Sequence, residues 1–582
     1  FFAPDPQEVK EQQDRERAAA TDTSTLADSL RRQQQANAET DTGLPPLPDT
    51  SMATLKEAQP QDSARATLSD SLSPQQPDSL TRVKELQDAY GYFWVLTQKP
   101  EGDAAKPVTI QTPLTTYEVQ PKGGMLRPVT LRKYETYGGE PQPVVSALPP
   151  NSQALEFVHQ RRTLRTDSFY FQPVKVPNTQ EMGKEDTQQL VMRAALNDQR
   201  YLELVYTFYG NRYHVDQEVR LIGLRDLIQN RQVDMHVDLV VETTEKSKEK
   251  MLPLVNALYN YQGDVEELDP RSEEVEKLQE TGKIDWVAFR SQFFSYAVIP
   301  QEKFEQVNLA SRPMPYPDVV KALRGVMSLP YGSELNDTLR LRHYMGPNDY
   351  YVLKKYDNDL EDLVNLGWGP IHYINAWIIL PTFEFFSGFI PSYGVIIFVL
   401  ALLIKLLLSP LTLRSYLSTA KMQVMNDMPE VKELDEKYKD NPTKLQTEKM
   451  AIYNQAGVSP LGGCLPLLLQ FPILISMFTF FPASIQLRQK SFLWADDLST
   501  YDSILDFGYV PIVHSIYGDH VSGFTLLMTV TTLIYTYLTQ QTQANNPAAA
   551  QFKYIAYLFP VVFMGILNQY AAALSYYYFC TN

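Results

Sequence analysis

One lysine inside a long apolar run is the residue best placed to do chemistry in this 582-residue chain. Lys405 follows ten apolar residues counted from Val395 and precedes Leu406, Leu407 and Leu408. A run of that length reads as a membrane-crossing helix, which puts the ammonium near mid-helix, away from an end to which it could readily snorkel. A charge at that depth costs about 3 kcal/mol on insertion scales, so it needs water, a counter-charge or polar partners. No Asp or Glu lies in any apolar run, which disfavours an ion-pair pump or proton relay. Two readings remain: a wet cavity that keeps the cation available, or a lysine satisfied by carbonyls. Candidate cavity partners are Gln470, Ser476, Thr525, Thr529, Asn568, Gln569, Tyr576 and Tyr577. Each could equally be an ordinary interhelical hydrogen-bonding group.

Bond-making chemistry has little support. The seven histidines (159, 214, 236, 343, 372, 514 and 520) all lie outside the apolar runs. There is no HExxH, no GxSxG and no phosphate-binding glycine loop with its lysine. Cys464 and Cys580 are too few for a disulfide framework or a cysteine-rich zinc domain. No cofactor or metal is implied. The net charge of −16 argues against nucleic-acid binding, which needs basic clusters on phosphates.

The elements that would position Lys405 follow from composition. Residues 3–89 contain no Phe, Trp or Tyr, so 1–89 reads as a low-complexity linker, with a short helix possible around 80–89. Phe1-Phe2 is read as the remnant of an upstream anchor, since the chain has no starting Met. Residues 90–335 carry short alternating runs such as YLELVYTFYG (201–210), with turn signals such as Gly123-Gly124. That pattern predicts an antiparallel β-sandwich. Residues 336–386 read as a connector whose end, 366–386, is an aromatic-rich helix lying on the membrane surface, or an extension of the first span. Residues 387–582 read as a polytopic helical core with spans near 392–414, 458–484, 521–541, 552–569 and 571–582, the last cut short. The whole is a multidomain α+β chain.

Loop 415–457 carries six lysines, including Lys421, Lys432, Lys437 and Lys439, whereas 485–520 has only Arg488 and Lys490 against five Asp. The positive-inside rule places the first loop in the cytosol and the second outside, with the sandwich. The cytoplasmic loop predicts a helical hairpin, 416–438 and 443–456, broken at Asn441-Pro442. It is either a solvated connector or a docking arm. Prolines 410, 460, 466 and 472 predict kinks, and Gly462-Gly463 allows a bend or close packing.

Taken together these segments resemble the YidC/Oxa/Alb membrane protein insertases, in the YidC-type form of Gram-negative bacteria. The resemblance rests on KLLLSPLT (405–412), SYLSTAKMQ (415–423), SPLGGCLPLLLQFPILISMF (459–478), LRQKSFLWADDLS (487–499) and LFPVVF (558–563). VTIQTPLTTYEVQPKGG (108–124) and YMGP (344–347) extend it to the external domain. It implies a multi-pass bacterial inner-membrane protein with a large periplasmic domain, acting as an insertase and chaperone without nucleotide hydrolysis. It implies a hydrophilic groove within five helices, open to cytosol and lipid, lined by Lys405, Gln470, Asn568, Tyr576 and Tyr577. The family usually has arginine where Lys405 stands; lysine keeps the charge and loses the planar donor fork. The family's Phe-Pro-Ser-Gly turn before the final helix is Gln569-Tyr570-Ala571-Ala572 here. Implied partners are nascent membrane proteins, the ribosome, the Sec translocon and the phospholipid bilayer. The competing readings are a polytopic transporter and an envelope scaffold whose sandwich binds a ligand.

Overall fold

The computed structural model describes residues 79–582 apart from 178–180, 230–231, 270–271, 273–274, 333–336, 439–440, 458–464, 509, 511–512, 515–516 and 543–546. The expectations for residues 1–78, Lys439, Pro460, Gly462 and Gly463 lie outside the described residues, and of Pro466 only the backbone is described.

After a helix at Ser79–Tyr90, the chain builds two antiparallel sheets. The smaller runs β1 (Val108–Gln111), β2 (Thr115–Val119), β3 (Leu126–Glu135) and β4 (Pro141–Val145), in sequence order. The larger is a long sheet of 14 strands that begins at β5 (Ser152–His159) and ends at β18 (Asp337–Pro347). Alternation decides which faces pack: strand Thr115–Val119 buries Thr115, Tyr117 and Val119 and leaves Thr116 and Glu118 half-exposed. The Gly123-Gly124 turn is needed for its backbone. Both residues have positive φ, and a Cβ on Gly124 would lie 2.5 Å from Leu204 Cδ1. The sheet continues past the expected boundary at 335, to Pro347. Its last strand shows charge because Arg342 pairs with Asp216 at 2.7 Å and Arg340 with Glu218 at 3.6 Å across the ladder.

A polar chain runs through the sandwich core. Tyr296 Oη lies 2.9 Å from His343 Nδ1, and His343 Nε2 lies 2.7 Å from Gln217 Oε1. Gln217 Nε2 donates to Tyr206 Oη at 2.7 Å, and that hydroxyl donates to Gly124 O at 2.8 Å. Burial pushes the His343 pKa down to about 4, so the ring is neutral, Nε2 donates and Nδ1 accepts.

One apolar cluster then continues from the sandwich (Trp286, Phe293, Phe294, Tyr344) into the helices and the loops beside them (Leu366, Ile379, Phe480, Leu487). The aromatic segment forms α1 (Pro370–Ile374) and α2 (Leu380–Ser387), joined by a wider π turn at Asn375–Ile379. Pro381 has no N–H for the Trp377 carbonyl, and the widened turn accommodates that loss. Trp368 and Trp377 are each 72% exposed, while Ile371, Ile379 and Phe383 are buried.

The core helices are α3 (Tyr393–Asn426), α4 (Pro429–Lys437), α5 (Pro442–Gln455), α6 (Leu465–Ala483), α7 (Gly523–Thr542), α8 (Pro547–Leu567) and α9 (Ala572–Thr581). By length and composition α3 alone is enough to cross a membrane among the described residues. At ~1.5 Å per residue its 34 residues span about 51 Å, well beyond a ~30 Å hydrocarbon layer. The expected helix 416–438 is therefore two pieces: α3 runs on to Asn426, and α4 starts afresh at Pro429. The proline holds Met428 extended (φ −64°, ψ 142°), which ends the first helix. Asn441 caps α5 by accepting from Lys444 N. Lys449 reaches back to Asp435 at 2.6 Å, and Tyr453 Oη donates to Asn426 Oδ1, closing the hairpin on the end of α3.

Candidate functional site

Helix α3 buries a stripe of Ile396, Ile397, Leu400, Ala401 and Ile404 against its neighbours. At ~100° per residue Lys405 sits on the flank of that stripe, adjacent to the row of Ala401 and Leu408. It is exposed, and no hydrogen bond or ion pair of its ammonium occurs among the described residues. Pro410 leaves α3 unbroken for a local reason. Its missing N–H frees the Leu406 carbonyl, and Ser409 Oγ donates to that oxygen at 2.8 Å.

The helices are packed at one end and open at the other. At the outer end Ile396, Ile397, Leu400 and Ala401 of α3, Met477, Phe480 and Phe481 of α6, Phe524 and Met528 of α7, and Ala572–Tyr578 of α9 are buried. Toward the cytosolic end Leu406, Leu407 and Leu413 of α3, Val530, Ile534 and Tyr537 of α7, and Tyr554–Phe559 of α8 are mostly exposed. Lys405 lies where the first pattern gives way to the second. Gln470 of α6 is half-buried in its inner half, with no hydrogen bond among the described residues. Pro472 lies two residues outward, where its carbonyl accepts from Ser476 Oγ at 2.8 Å.

The other groove candidates are placed differently. Tyr576 and Tyr577 are buried among rings: Tyr576 lies 5.0 Å from Phe492 and 5.2 Å from Phe524, and Tyr577 lies 5.9 Å from Phe481. Asn568 stands just beyond the outer end of α8, fully buried, with its amide saturated. Nδ2 donates to Tyr517 O at 2.8 Å and His520 O at 2.7 Å, and Oδ1 accepts from Ser522 N at 2.8 Å. Thr525 Oγ1 and Ser575 Oγ lie 2.9 Å apart in the same packed region. Lys421, expected in the hairpin, is exposed on the cytosolic extension of α3; in the hairpin Lys432 lies 3.6 Å from Asp427 and Lys437 lies 5.5 Å from the Tyr438 ring.

Three residues that the sequence reading passed over organise the outer end. Asn375 of the π turn donates to Leu366 O, Ser476 O and Thr479 Oγ1 at 2.9, 3.1 and 2.9 Å, tying the aromatic segment to α6. Asp502 is buried at the start of α7, where it accepts from Phe524 N at 3.1 Å, from Trp494 Nε1 at 2.8 Å and from Ser522 Oγ. A carboxylate there complements the helix N-terminus. Arg488 is buried between the outer loop and the sandwich, with both Glu245 oxygens 3.0 Å from its Nε and Gln142 Oε1 3.0 Å from Nη2. Burial pushes the Glu245 carboxyl up to about 7, with Arg488 opposing the shift. The available signals were a polar Asn in an apolar helix and an Arg inside the LRQKSFLWADDLS motif.

Comparison with known proteins covers both halves of the chain. The family described as the YidC periplasmic domain matches residues 107–380, and that described as 60Kd inner membrane protein matches 385–582. A membrane protein insertase YidC from Parabacteroides distasonis is 34% identical, across 90% of this chain and 83% of that relative. One from Chlorobium limicola is also 34% identical, across 90% of this chain and 88% of that relative. Among solved structures, an active YidC insertase with its first transmembrane domain resolved aligns over 86% of this chain and 96% of its own length. Its identity is 18% and its TM-score 0.31, too low to bear on the fold.

Proposed function

The chain belongs to the YidC family of membrane protein insertases, and on that premise we propose that Lys405 is the charge that draws a substrate's polar flank into the bilayer. It is a bacterial inner-membrane protein with a large periplasmic domain ahead of a helical core. The observation that carries the proposal is the position of Lys405: exposed, without an ion pair among the described residues, at the edge of the packed outer region.

The mechanism needs no bond to be made or broken. A substrate helix of about 20 apolar residues gains stability by leaving water for lipid, and the barrier is its polar flank. A cation reached by cytosolic water shortens the path that flank must cross. At ~4 Å its attraction for an acidic side chain is about 1 kcal/mol in water and about 4 kcal/mol at an effective dielectric near 20. Gln470 supplies a neutral partner on the facing helix. Release follows as the apolar face of the substrate partitions sideways into lipid. The saturated amide of Asn568 and the ring packing of Tyr576 and Tyr577 favour a role for these three in closing the outer end. Lys421, Lys432 and Lys437 on the hairpin suit it to an anionic partner such as the ribosome, and a Sec translocon is the further partner we propose.

Replacement in a strain depleted of its own insertase tests this. Lys405→Ala lowers insertion of single-span substrates with acidic external flanks by about tenfold, the equivalent of ~1.4 kcal/mol. Lys405→Arg retains it. Full activity of Lys405→Ala on such substrates would refute the mechanism.

A further inference from the structure

A short stretch of the sandwich, Thr244–Lys250, touches two external connections of the core at three points. Glu245 holds Arg488, on the connection from α6 to α7. Lys246 Nζ donates to Tyr501 O at 3.0 Å and lies 3.9 Å from the centre of the Tyr501 ring, just ahead of α7. Lys250 Nζ lies 5.0 Å from the ring of Tyr570, in the turn between α8 and α9.

These contacts converge on the residues that close the outer end. The Tyr501 ring stacks on His520 at 3.9 Å, and His520 Nε2 donates to Asn568 O at 2.8 Å. Next in sequence, Asp502 holds the start of α7. Burial pushes the Lys246 pKa down from its ordinary value, and the charges of Asp496, Asp502, Asp497 and Asp506 oppose that shift. The rings beneath are apolar and interlocked, so they do not part in water without loss of packing. The three contacts above them are polar and can be remade with water, which makes them the reversible part of the closure.

We propose that Glu245, Lys246 and Lys250 are positioning residues for insertion: a clamp through which the periplasmic domain sets how readily the outer seal of the core opens for a departing polar flank. The clamp acts on Tyr501, Arg488 and Tyr570 and is independent of Lys405. It rests on the insertase reading only for its consequence in insertion; opening of the seal can be measured without a substrate.

The test uses the full chain in right-side-out membrane vesicles, with Cys464→Ser and Cys580→Ser and a reporter Ser575→Cys in the seal. A membrane-impermeant maleimide is added outside. Lys246→Ala combined with Lys250→Ala raises the labelling rate by about tenfold, the loss of one hydrogen bond and three cation–ring contacts, the weakest with Tyr137 at 5.9 Å. Lys246→Arg, which keeps a donor and a cation over the ring, labels at the parent rate. Insertion of a substrate with a long acidic external flank changes in the double variant, and that of a substrate with a flank of a few residues does not. Unchanged labelling in the double variant would overturn the clamp. So would an equal rise in Lys246→Arg, or an equal rise in inside-out vesicles, which would mean a generally loosened bundle. Failure of the Lys405 mechanism would leave the labelling result untouched.

Discussion

Replacing Asn568 separates a residue that seals the outer end from one that lines a groove. Its side chain is fully buried and makes three hydrogen bonds, all to backbone groups in Tyr517–Ser522. Alanine would leave the Ser522 N–H and the His520 and Tyr517 carbonyls without their partner. A buried polar group left unpaired costs about 1–3 kcal/mol, so the three together sum to about 3–9 kcal/mol. A water entering the space would recover part of that, because the site is polar. Asn568→Ala is then expected to destabilise the core by about 3–5 kcal/mol, a large share of a typical stability of about 5–15 kcal/mol. Asn568→Asp keeps the acceptor for Ser522 N but turns oxygen toward two carbonyls, so it should fare no better. Denaturant unfolding of the full chain in mild detergent, followed by fluorescence and protease resistance, reads the effect. A groove residue would behave in the opposite way, with stability within about 1 kcal/mol of the parent and a selective loss on acidic-flank substrates. That result would refute the sealing role.

Two further expectations concern the sandwich and the membrane surface. His343 has its folded pKa pushed to about 4, below the ordinary 6.5, so the unfolded chain binds more protons between those values. Its contribution to stability is full above pH 6.5 and is lost at up to ~1.4 kcal/mol per pH unit as pH falls toward 4. Unfolding of the full chain at pH 7 and pH 5 should show a steeper loss for the parent than for His343→Gln, and equal slopes would rule the linkage out. A variant retaining only Trp377 should be quenched by spin-labelled lipid at headgroup depth, whereas one retaining only the buried Trp286 should not. The reverse order would place α1 and α2 away from the bilayer.

What could be read from sequence was local. Alternation marked the sandwich, because its strands bury every second side chain. Unbroken apolar runs marked the core helices, and Lys405 stood out because nothing near it shares its charge. The last strand, Asp337–Pro347, falls in the expected connector; its Arg340 and Arg342 pair with Glu218 and Asp216 across the ladder, a cross-strand match that the strand's own sequence does not display. A span over 552–569 puts Asn568 in its last turn, as a groove residue. The helix in fact ends at Leu567, which puts the amide at the outer surface of the core, against the loop. Arg488 and Glu245 are 243 residues apart, and a single sequence has no term that couples them.

The depth of Lys405 is what joins the fold to the proposed mechanism. One turn earlier stands Ala401, only 2% exposed, where an ammonium would be enclosed by the outer packing and uncompensated. A buried, unpaired charge there would cost several kcal/mol and would deprotonate or disrupt the bundle. One turn later stands Ser409, already engaged with the Leu406 carbonyl, and from there a long cationic side chain would reach the cytosolic interface, too shallow to shorten the crossing. Lys405 thus stands beside the packed row that ends at Ile404, with its own side chain exposed. From Tyr393 to Lys405 is 12 residues, about 18 Å of helix, against a hydrocarbon layer of ~30 Å. On the proposed mechanism a polar flank met at Lys405 has about 18 Å left to cross, instead of the full layer. That remaining part is the region packed by Asn568, Asp502 and the rings of α9, so on the proposed mechanism charge and seal would divide the barrier between them.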